Sequence, residues 1–408
     1  MEPELQQSHS PEQLKELNRS VAVNIYKNVA HKKKEHDPSN VLANFLVGRW
    51  ILWVIAYVKY RFGFKHRFLS YHNLKDNGIY KLNSATGQKK VKLALAADWG
   101  TDTLESKQIG LQMGQHQADY TIHLGDTYFV GDRKEIKNNF KPGNSFWPYG
   151  KVGSFALPGN HEMYSNGYGY FEELLPWMGL FRPQKTRQIA SYFCLENVYL
   201  QIIGLDTGYR SVGIPILELL FSKADLRPEI NKWFKEVLNL QNSNKGIILL
   251  THHQYTSAFD KHYPAAGRQI AEFLDQKKVL WFWGHEHRLA FYGQYKEERG
   301  ITAYGRCIGH GGMPISLVNI NALKPGSNPV LVDNRPNKEV AGKPVGHNGY
   351  AIMELEDQQL QISYYDEENL LLVEMWEYDP VAQTIVGKDI QIKCTGLSMI
   401  QDSKKAIE

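Results

Sequence analysis

Cysteine is scarce in this sequence: the chain of 408 residues has three, far apart at Cys194, Cys307 and Cys394. An odd number of widely spaced cysteines argues against a disulfide framework and is typical of a reducing compartment. No stretch reaches the about 20 apolar residues that a membrane helix needs. The opening residues, MEPELQQSHSPEQ, also lack the basic start and apolar run of a secretory signal. We therefore expect a cytoplasmic protein.

The chain also has little excess charge of either sign. The chain has 47 basic and 43 acidic residues, a formal net charge of +4. This excess is too small to indicate nucleic-acid binding without a concentrated basic patch. The densest basic run, His31–Lys34, is more typical of a solvated helix face. We expect no nucleic-acid partner.

The N-terminal region differs in character from the rest of the chain. Residues 45–58, FLVGRWILWVIAYV, are apolar apart from Arg49 and are followed by several cationic side chains. This combination is typical of a helix that lies on a membrane surface, but we favour a helix packed on the main domain. We expect a helical extension, with peripheral membrane contact through residues 45–58 left open. The expected limits of extension, main domain and flexible tail are residues 1–88, 89–395 and 396–408.

Five short apolar runs in the main domain each end in polar or metal-binding side chains. In chain order the endings are Asp98-Trp99-Gly100, Gly125-Asp126, Gly159-Asn160-His161-Glu162, Thr251-His252-His253 and Gly284-His285-Glu286-His287. Stretches between them, such as PEINKWFKEVLNLQN, have helical spacing. In an α/β sheet, ligands gather beyond the carboxyl ends of the strands. The pattern therefore predicts one site to which all five runs contribute.

The side chains at these strand ends favour metal binding. Two carboxylates about 4 Å apart repel each other by about 4 kcal/mol at an effective dielectric constant of about 20, unless cations lie between them. Mixed carboxylate and imidazole ligands suit Mn, Fe or Zn better than calcium or magnesium. Two such ions can share a water molecule and hold the oxygens of a displacement at phosphorus. We expect two transition-metal ions as cofactors, of uncertain identity.

The five motifs, in this order over about residues 90–315, resemble the calcineurin-like metallophosphoesterase superfamily. The resemblance implies an α/β fold, a four-layer sandwich of two mixed β-sheets flanked by helices, with a dimetal centre at one edge. It implies that residues 89–395 are a catalytic domain that hydrolyses a phosphoester substrate by attack of a metal-bound hydroxide on phosphorus. The metal ligands that it implies are Asp98, Asp126 as the bridge, Asn160, His252, His285 and His287.

The resemblance also implies roles beyond metal binding. His161 would stabilise the transition state or protonate the leaving oxygen, and Glu162, which we assign to substrate binding, would orient His161. The choice between His252 and His253 as ligand is open; we prefer His252, which leaves His253 to face the substrate. A His253 that is bonded to nearby backbone is the alternative.

One motif departs from the pattern of many family members. Gly100 stands where those members have a histidine, as in the purple acid phosphatase branch, which compensates with a tyrosine three residues after the bridging aspartate. Here that position is Phe129, and the tyrosine is one residue earlier, at Tyr128. The first metal therefore lacks an obvious ligand unless Tyr128 reaches it through an irregular turn. We assign Tyr128 to substrate binding, with a packed aromatic side chain as the alternative.

Three functions fit this sequence. The first is a dimetal phosphoester hydrolase in which His161 assists departure of the leaving group. The second is a phosphodiesterase that acts on nucleotide or lipid head groups. The third is a metal-poor scaffold of the same fold that binds a partner, which only Gly100 supports. The presence of His161 and of all expected ligands of the second metal favours an enzyme.

Overall fold

The structure is a computed structural model that describes residue 60 and residues 63–71, 77–183, 185–212, 223–274, 277–340 and 342–408. Residues 45–58 and most of the expected helical extension lie outside these ranges, so the membrane contact stays a prediction. Among the described residues, no helix combines the length and apolar character needed to cross a membrane.

The described chain alternates strands and helices in its first half and is mostly strands in its second half. The α-helices with described bounds are α1 (Leu104–Gln115), α2 (Arg133–Phe140), α3 (Asn160–Tyr164), α4 (Pro228–Glu236) and α5 (Ala265–Ala271). The strands are β1 (Ile79–Lys81), β2 (Val91–Ala96), β3 (Tyr120–His123), β4 (Gly153–Ala156), β5 (Gly179–Leu180), β6 (Thr186–Arg187), β7 (Phe193–Glu196), β8 (Leu200–Gly204), β9 (Gly246–Leu250), β10 (Lys278–Trp283), β11 (Leu289–Lys296), β12 (Thr302–Ile308), β13 (Pro329–Val332), β14 (Lys338–Val340), β15 (Lys343–Val345), β16 (Gly349–Glu356), β17 (Gln359–Asp366), β18 (Leu370–Asp379), β19 (Thr384–Ile392) and β20 (Ser398–Met399). A π-helix (Gly169–Leu174) and 3₁₀ turns (Leu175–Trp177, Leu240–Asn242 and Ser403–Ala406) complete the described elements.

These strands form two large mixed sheets. The first has the order β1-β7-β8-β9-β10-β12-β11-β13-β20, and the second has the order β19-β18-β17-β16-β2-β3-β4-β5-β6. Strands β2, β3 and β4 run parallel, as do β8, β9, β10 and β12, whereas the later strands pair as antiparallel hairpins. The parallel strands of each sheet therefore direct their carboxyl ends to the same edge.

The two sheets pack face to face, with helices on both outer faces. The largest apolar cluster joins side chains of both sheets, among them Leu95, Phe282 and Ile362. A second cluster packs Trp233 of α4 and its neighbours on the outside of the first sheet. A third packs Ile109 of α1 and its neighbours on the outside of the second sheet. The predicted four-layer α/β sandwich is confirmed.

Two stretches differ from expectation. Strand β1 lies inside residues 1–88, expected to be helical, but it pairs in parallel with β7 and buries Tyr80 in the core. The expected flexible tail at residues 396–408 is instead packed, because β20 pairs with β13 and the side chains of Ala406 and Ile407 are buried. A few apolar residues in these polar stretches are enough to attach them to the sheets.

A buried ion pair links the two sheets. Arg306 on β12 donates through Nε to both carboxylate oxygens of Glu374 on β18 at 3.0 Å, and both side chains are completely buried. Arg306 Nη2 also donates to the carbonyl oxygen of Ala406 at 2.7 Å, and the Tyr364 hydroxyl donates to Glu374 at 2.9 Å. Arg306 therefore has partners in both sheets and in the C-terminal segment.

We expect Glu374→Gln to lower the free energy of unfolding by about 3–5 kcal/mol, because it leaves the Arg306 guanidinium buried without a counter-charge. Urea denaturation of wild type and variant would measure the loss. Lys89→Ala is the matched control: its ion pair with Asp357 is 3.4 Å long and largely exposed, so we expect a loss of less than about 1 kcal/mol. Equal losses in the two variants would contradict the assignment of a stabilising role to the buried pair.

Candidate metal centre

The five predicted motifs meet at one edge of the sandwich. Three of them follow β2, β3 and β4 of the second sheet, and two follow β9 and β10 of the first sheet. The backbone N–H of His285 donates to Asp98 Oδ2 at 2.8 Å, which joins the two sheets directly at the site. The predicted site residues that the structure brings together are Asp98, Asp126, Tyr128, Asn160, His161, Glu162, His252, His253, His285 and His287.

Local backbone conformation lets these side chains approach one another. Asp98, Asp126 and His285 have φ angles of 56°, 71° and 65°, in the left-handed region that residues other than glycine rarely adopt. Such conformations cluster at active sites, where the surrounding structure holds them in place. The glycine before Asn160 is required for a different reason: a Cβ atom at Gly159 would lie 2.0 Å from Asp126 Oδ1. Close backbone approach to the Asp126 carboxylate therefore explains this glycine.

Asp98, Tyr128 and His287 form the first group of side chains. The Tyr128 hydroxyl lies 2.7 Å from Asp98 Oδ1 and 2.9 Å from His287 Nε2. It also lies 3.2 Å from Asp126 Oδ2, and His287 Nε2 lies 3.5 Å from Asp98 Oδ1. Burial, reinforced by the charges of the two carboxylates, raises the pKa of Tyr128 well above its usual value. Although it occurs one position earlier than the expected ligand, Tyr128 thus enters the site.

Asn160, His252 and His285 form the second group. His252 Nε2 lies 3.2 Å from both Asp126 Oδ2 and Asn160 Oδ1, and the ring of His285 is centred 5.2 Å from that of His252. His252 Nδ1 faces the carbonyl oxygen of Leu124 at 3.0 Å. A backbone carbonyl that holds the second ring nitrogen is typical of a metal-binding histidine, because it directs the other nitrogen to the ion.

His253 lies beside this group and does not face Asp126. Its Nδ1 lies 3.1 Å from the Thr207 hydroxyl, which also accepts a hydrogen bond from the His253 backbone N–H. The His253 ring is centred 4.6 Å from the ring of His285, and burial lowers its pKa well below the usual value. The structure thus places His252, rather than His253, against the carboxylate and the amide.

The two aspartates are held as anions despite their burial. Burial alone would raise the pKa of Asp98, but the hydrogen bond from His287 and the charge of His252 hold it below its usual value. Burial likewise opposes ionisation of Asp126, yet the charges of His252 and His161 hold its pKa well below the usual value. The pKa of His252, which burial would lower, is raised to about 9 by Asp126. An ionised carboxylate is the form that binds a metal.

The donor set fits a pair of transition-metal ions. One ligand atom from each of Asp98, Asp126 and His252 lies within 4.8 Å of the others, and the same holds for His252, His253 and His285. Carboxylates with imidazoles suit Mn, Fe or Zn. Asp126 contacts members of both groups, in keeping with its expected role as the bridge.

His161 and Glu162 lie on the same turn but have different surroundings. His161 Nδ1 lies 2.6 Å from the carbonyl oxygen of Phe129 and must carry a proton to bond it, which leaves Nε2 facing the site, 3.8 Å from Asp126 Oδ2. Glu162 is completely buried, and burial raises its pKa to about 7. Its Oε2 accepts from the backbone N–H groups of Gly159 and Asp126 at 2.8 and 3.2 Å. Glu162 therefore supports the backbone of the site, and its complete burial argues against the substrate contact expected from the sequence.

Sequence reasoning missed two polar residues that orient the site. The Tyr164 hydroxyl lies 3.1 Å from Asn160 Nδ2, an arrangement that the four-residue spacing on a helix could have suggested. Thr207, the partner of His253, follows β8 and carries no motif. No pattern near His253 in the sequence indicates that contact.

Residues 92–289 match the family model described as calcineurin-like phosphoesterase. No curated protein sequence matches the chain.

Several solved structures have a similar fold. The purple acid phosphatase PPD1 from yellow lupin (Lupinus luteus) seeds is 14% identical, with a TM-score of 0.40 over 68% of this chain and 52% of that chain. GAP50, described as the anchor in the inner membrane complex of Plasmodium, is 13% identical, with a TM-score of 0.40 over 75% of this chain and 90% of that chain. PhoD is 11% identical, with a TM-score of 0.48 over 78% of this chain and 74% of that chain. The chain thus spans about half the length of the lupin protein.

Proposed function

We propose that this protein, whose residues 92–289 match the calcineurin-like phosphoesterase family model, hydrolyses phosphoesters with the aid of two transition-metal ions. The observation that carries the proposal is the buried convergence of Asp98, Asp126 and His252, whose ligand atoms lie within 4.8 Å of one another. A fold uses such a costly arrangement of buried charge where a cation compensates it.

Each side chain of the site has a role in this proposal. Asp98, His287 and the shared Asp126 would hold the first ion, with the Tyr128 hydroxyl beside them. Asn160, His252, His285 and Asp126 would hold the second. When bound, such ions supply Lewis acidity and lower the pKa of coordinated water. The ligands that remain partly open to solvent, His285 and His287, mark the side from which the phosphate enters.

His161 has the geometry of a proton donor to the leaving group. Since its Nδ1 proton is held by the Phe129 carbonyl oxygen, Nε2 is the atom that exchanges a proton. In the reaction, an oxygen from water bonds to phosphorus and the bond from phosphorus to the ester oxygen breaks. Burial lowers the pKa of His161, and the charge of Asp126 opposes that shift. In its protonated form, with protons on both nitrogens, His161 passes the Nε2 proton to the ester oxygen, and the proton lost by water restores the protonated form. The His161 side chain is 20% exposed, so Nε2 can meet a substrate.

A metal-poor binding scaffold is the second candidate. Gly100 removes one expected ligand of the first metal, and the Tyr128 hydroxyl lies 2.7 Å from Asp98 and 3.2 Å from Asp126, so its single proton can bond either carboxylate. Under this alternative the fold is kept for contact with a partner. A binding scaffold gives the His161 side chain no role, which weighs against this alternative.

Metal analysis together with a turnover assay separates these candidates. We expect about two transition-metal ions per purified chain and metal-dependent hydrolysis of 4-nitrophenyl phosphate. Chelation should stop turnover, and added Mn²⁺, Fe²⁺ or Zn²⁺ should restore it. Fewer than one ion per chain, with no turnover after manganese is added, would favour the scaffold.

A further inference from the structure

Two walls of different chemistry border the proposed phosphate site. The first wall surrounds His161: the rings of Tyr128 and Tyr164 are centred 4.2 and 5.0 Å from its imidazole. Because the leaving oxygen must reach His161 Nε2, the leaving group lies against this wall.

The second wall borders the other metal group. The ring of Tyr263 is centred 4.9 Å from the ring of His253 and 5.7 Å from that of His285. The Lys261 ammonium lies over the Tyr263 ring, 5.2 Å from its centre. Lys261 is exposed, so this wall presents a cation to the solvent side of the site.

The second wall is anchored to the metal-binding segment. Gln254, two residues after His252, is completely buried. Its carbonyl oxygen accepts from the Tyr263 backbone N–H at 3.2 Å, and its Nε2 donates to the Lys261 carbonyl oxygen at 2.7 Å. The position of Lys261 relative to the ligands is therefore determined by β9 and the residues that follow it.

We propose that the substrate is a phosphodiester, and that Lys261 binds an anionic group on the arm that stays attached to phosphorus. The inference rests on the proposed phosphoester hydrolysis. A monoester has a single organic group, which lies at His161 and leaves. A diester also has a second arm, and the wall formed by Tyr263 and Lys261 offers this arm a surface beside His253 and His285. An ammonium at that position attracts an anionic arm.

Three esters that share the leaving group 4-nitrophenolate test this inference: 4-nitrophenyl phosphate, methyl 4-nitrophenyl phosphate and 2-carboxyethyl 4-nitrophenyl phosphate. In each, the oxygen of water bonds to phosphorus and the bond to the nitrophenyl oxygen breaks. The products are 4-nitrophenolate and a phosphate that keeps any second arm, while the proton lost from water passes to solvent. We expect the metal-loaded wild type to have the highest kcat/KM for the carboxyethyl diester.

Replacement of Lys261 identifies the source of that preference. Lys261→Ala should lower kcat/KM for the carboxyethyl diester by about fivefold, mainly through KM, and should leave the methyl diester unchanged, since a partly exposed ion pair contributes about 1 kcal/mol. Lys261→Arg should retain the preference. Lys296→Ala, which removes an exposed lysine at the far end of β11, is the matched control and should change neither rate.

Binding of the reaction product gives a readout that does not depend on turnover. The product 2-carboxyethyl phosphate keeps the arm, so Lys261→Ala should weaken its binding by about fivefold in calorimetry, with no change for methyl phosphate. Fastest hydrolysis of the monoester, or equal effects of Lys261→Ala on both diesters, would overturn the inference while leaving the proposed hydrolysis in place. No turnover of any of the three esters by the metal-loaded wild type would overturn both.

Discussion

Asp126→Asn should abolish phosphoester hydrolysis, with a loss of more than about 10³-fold in kcat. Asp126 Oδ2 lies 3.2 Å from His252 Nε2 and 3.2 Å from the Tyr128 hydroxyl, so this carboxylate contacts both groups of proposed ligands. The asparagine amide has no negative charge. It also has one oxygen where the carboxylate has two, so it can bind only one of the two proposed ions well. Initial rates with 4-nitrophenyl phosphate and metal content by mass spectrometry would measure the two losses together.

The matched control for this variant is Asp389→Asn, an exposed aspartate on β19 in the same sheet as β3. It removes the same charge from the chain and should leave turnover and metal content unchanged. Circular dichroism would show that Asp126→Asn is folded. If folded Asp126→Asn kept both ions and lost less than about tenfold in rate, Asp126 would not be the bridge.

His161→Ala should lower kcat by about 10² to 10⁴-fold and leave metal content unchanged. The imidazole is held by the Phe129 carbonyl oxygen. It is not needed for the backbone contact with Asp126, because the His161 N–H that donates to Asp126 Oδ1 at 3.0 Å survives the substitution. The variant therefore removes a proton donor and keeps the ligands.

The leaving group supplies the internal control for this second prediction. A 4-nitrophenolate is a good leaving group without protonation, whereas an alkoxide requires a proton. The loss on His161→Ala should therefore be larger for an alkyl ester than for a nitrophenyl ester of the same kind. Equal losses for the two esters would show that His161 acts on charge at phosphorus, and loss of the metals would show that it acts as a ligand.

The α/β pattern could be predicted because the central strands carry clear signals, whereas the four-layer sandwich was what the family resemblance implied. The apolar runs of β2, β9 and β10 each stop at a polar motif, and parallel strands place such ends at one edge. Whether the polar ends of the chain pack on the sheets could not be predicted in this way. Residues 396–408 bury only a few apolar side chains, such as Leu397 and Ile407, and no periodic pattern marks them.

The site was predictable where a residue directly follows a strand and less so in the turns. His252 and His253 both come after the end of β9, where the alternation of a strand no longer indicates which side chain faces inward. Tyr128 shows the same limit. It lies two residues after Asp126, one position before the expected tyrosine, yet its hydroxyl lies 2.7 Å from Asp98. Distances in turns depend on backbone conformation, which the spacing of motifs does not encode.

The position of β2 has a consequence for how the protein is made. This strand, which leads to Asp98, is paired on one side with β3 and on the other with β16, whose residues are translated much later. Until residues 349–356 leave the ribosome, a nascent chain exposes the apolar edge of Val91–Ala96, a template for association with other chains. Fragments that stop before β16 should consequently aggregate.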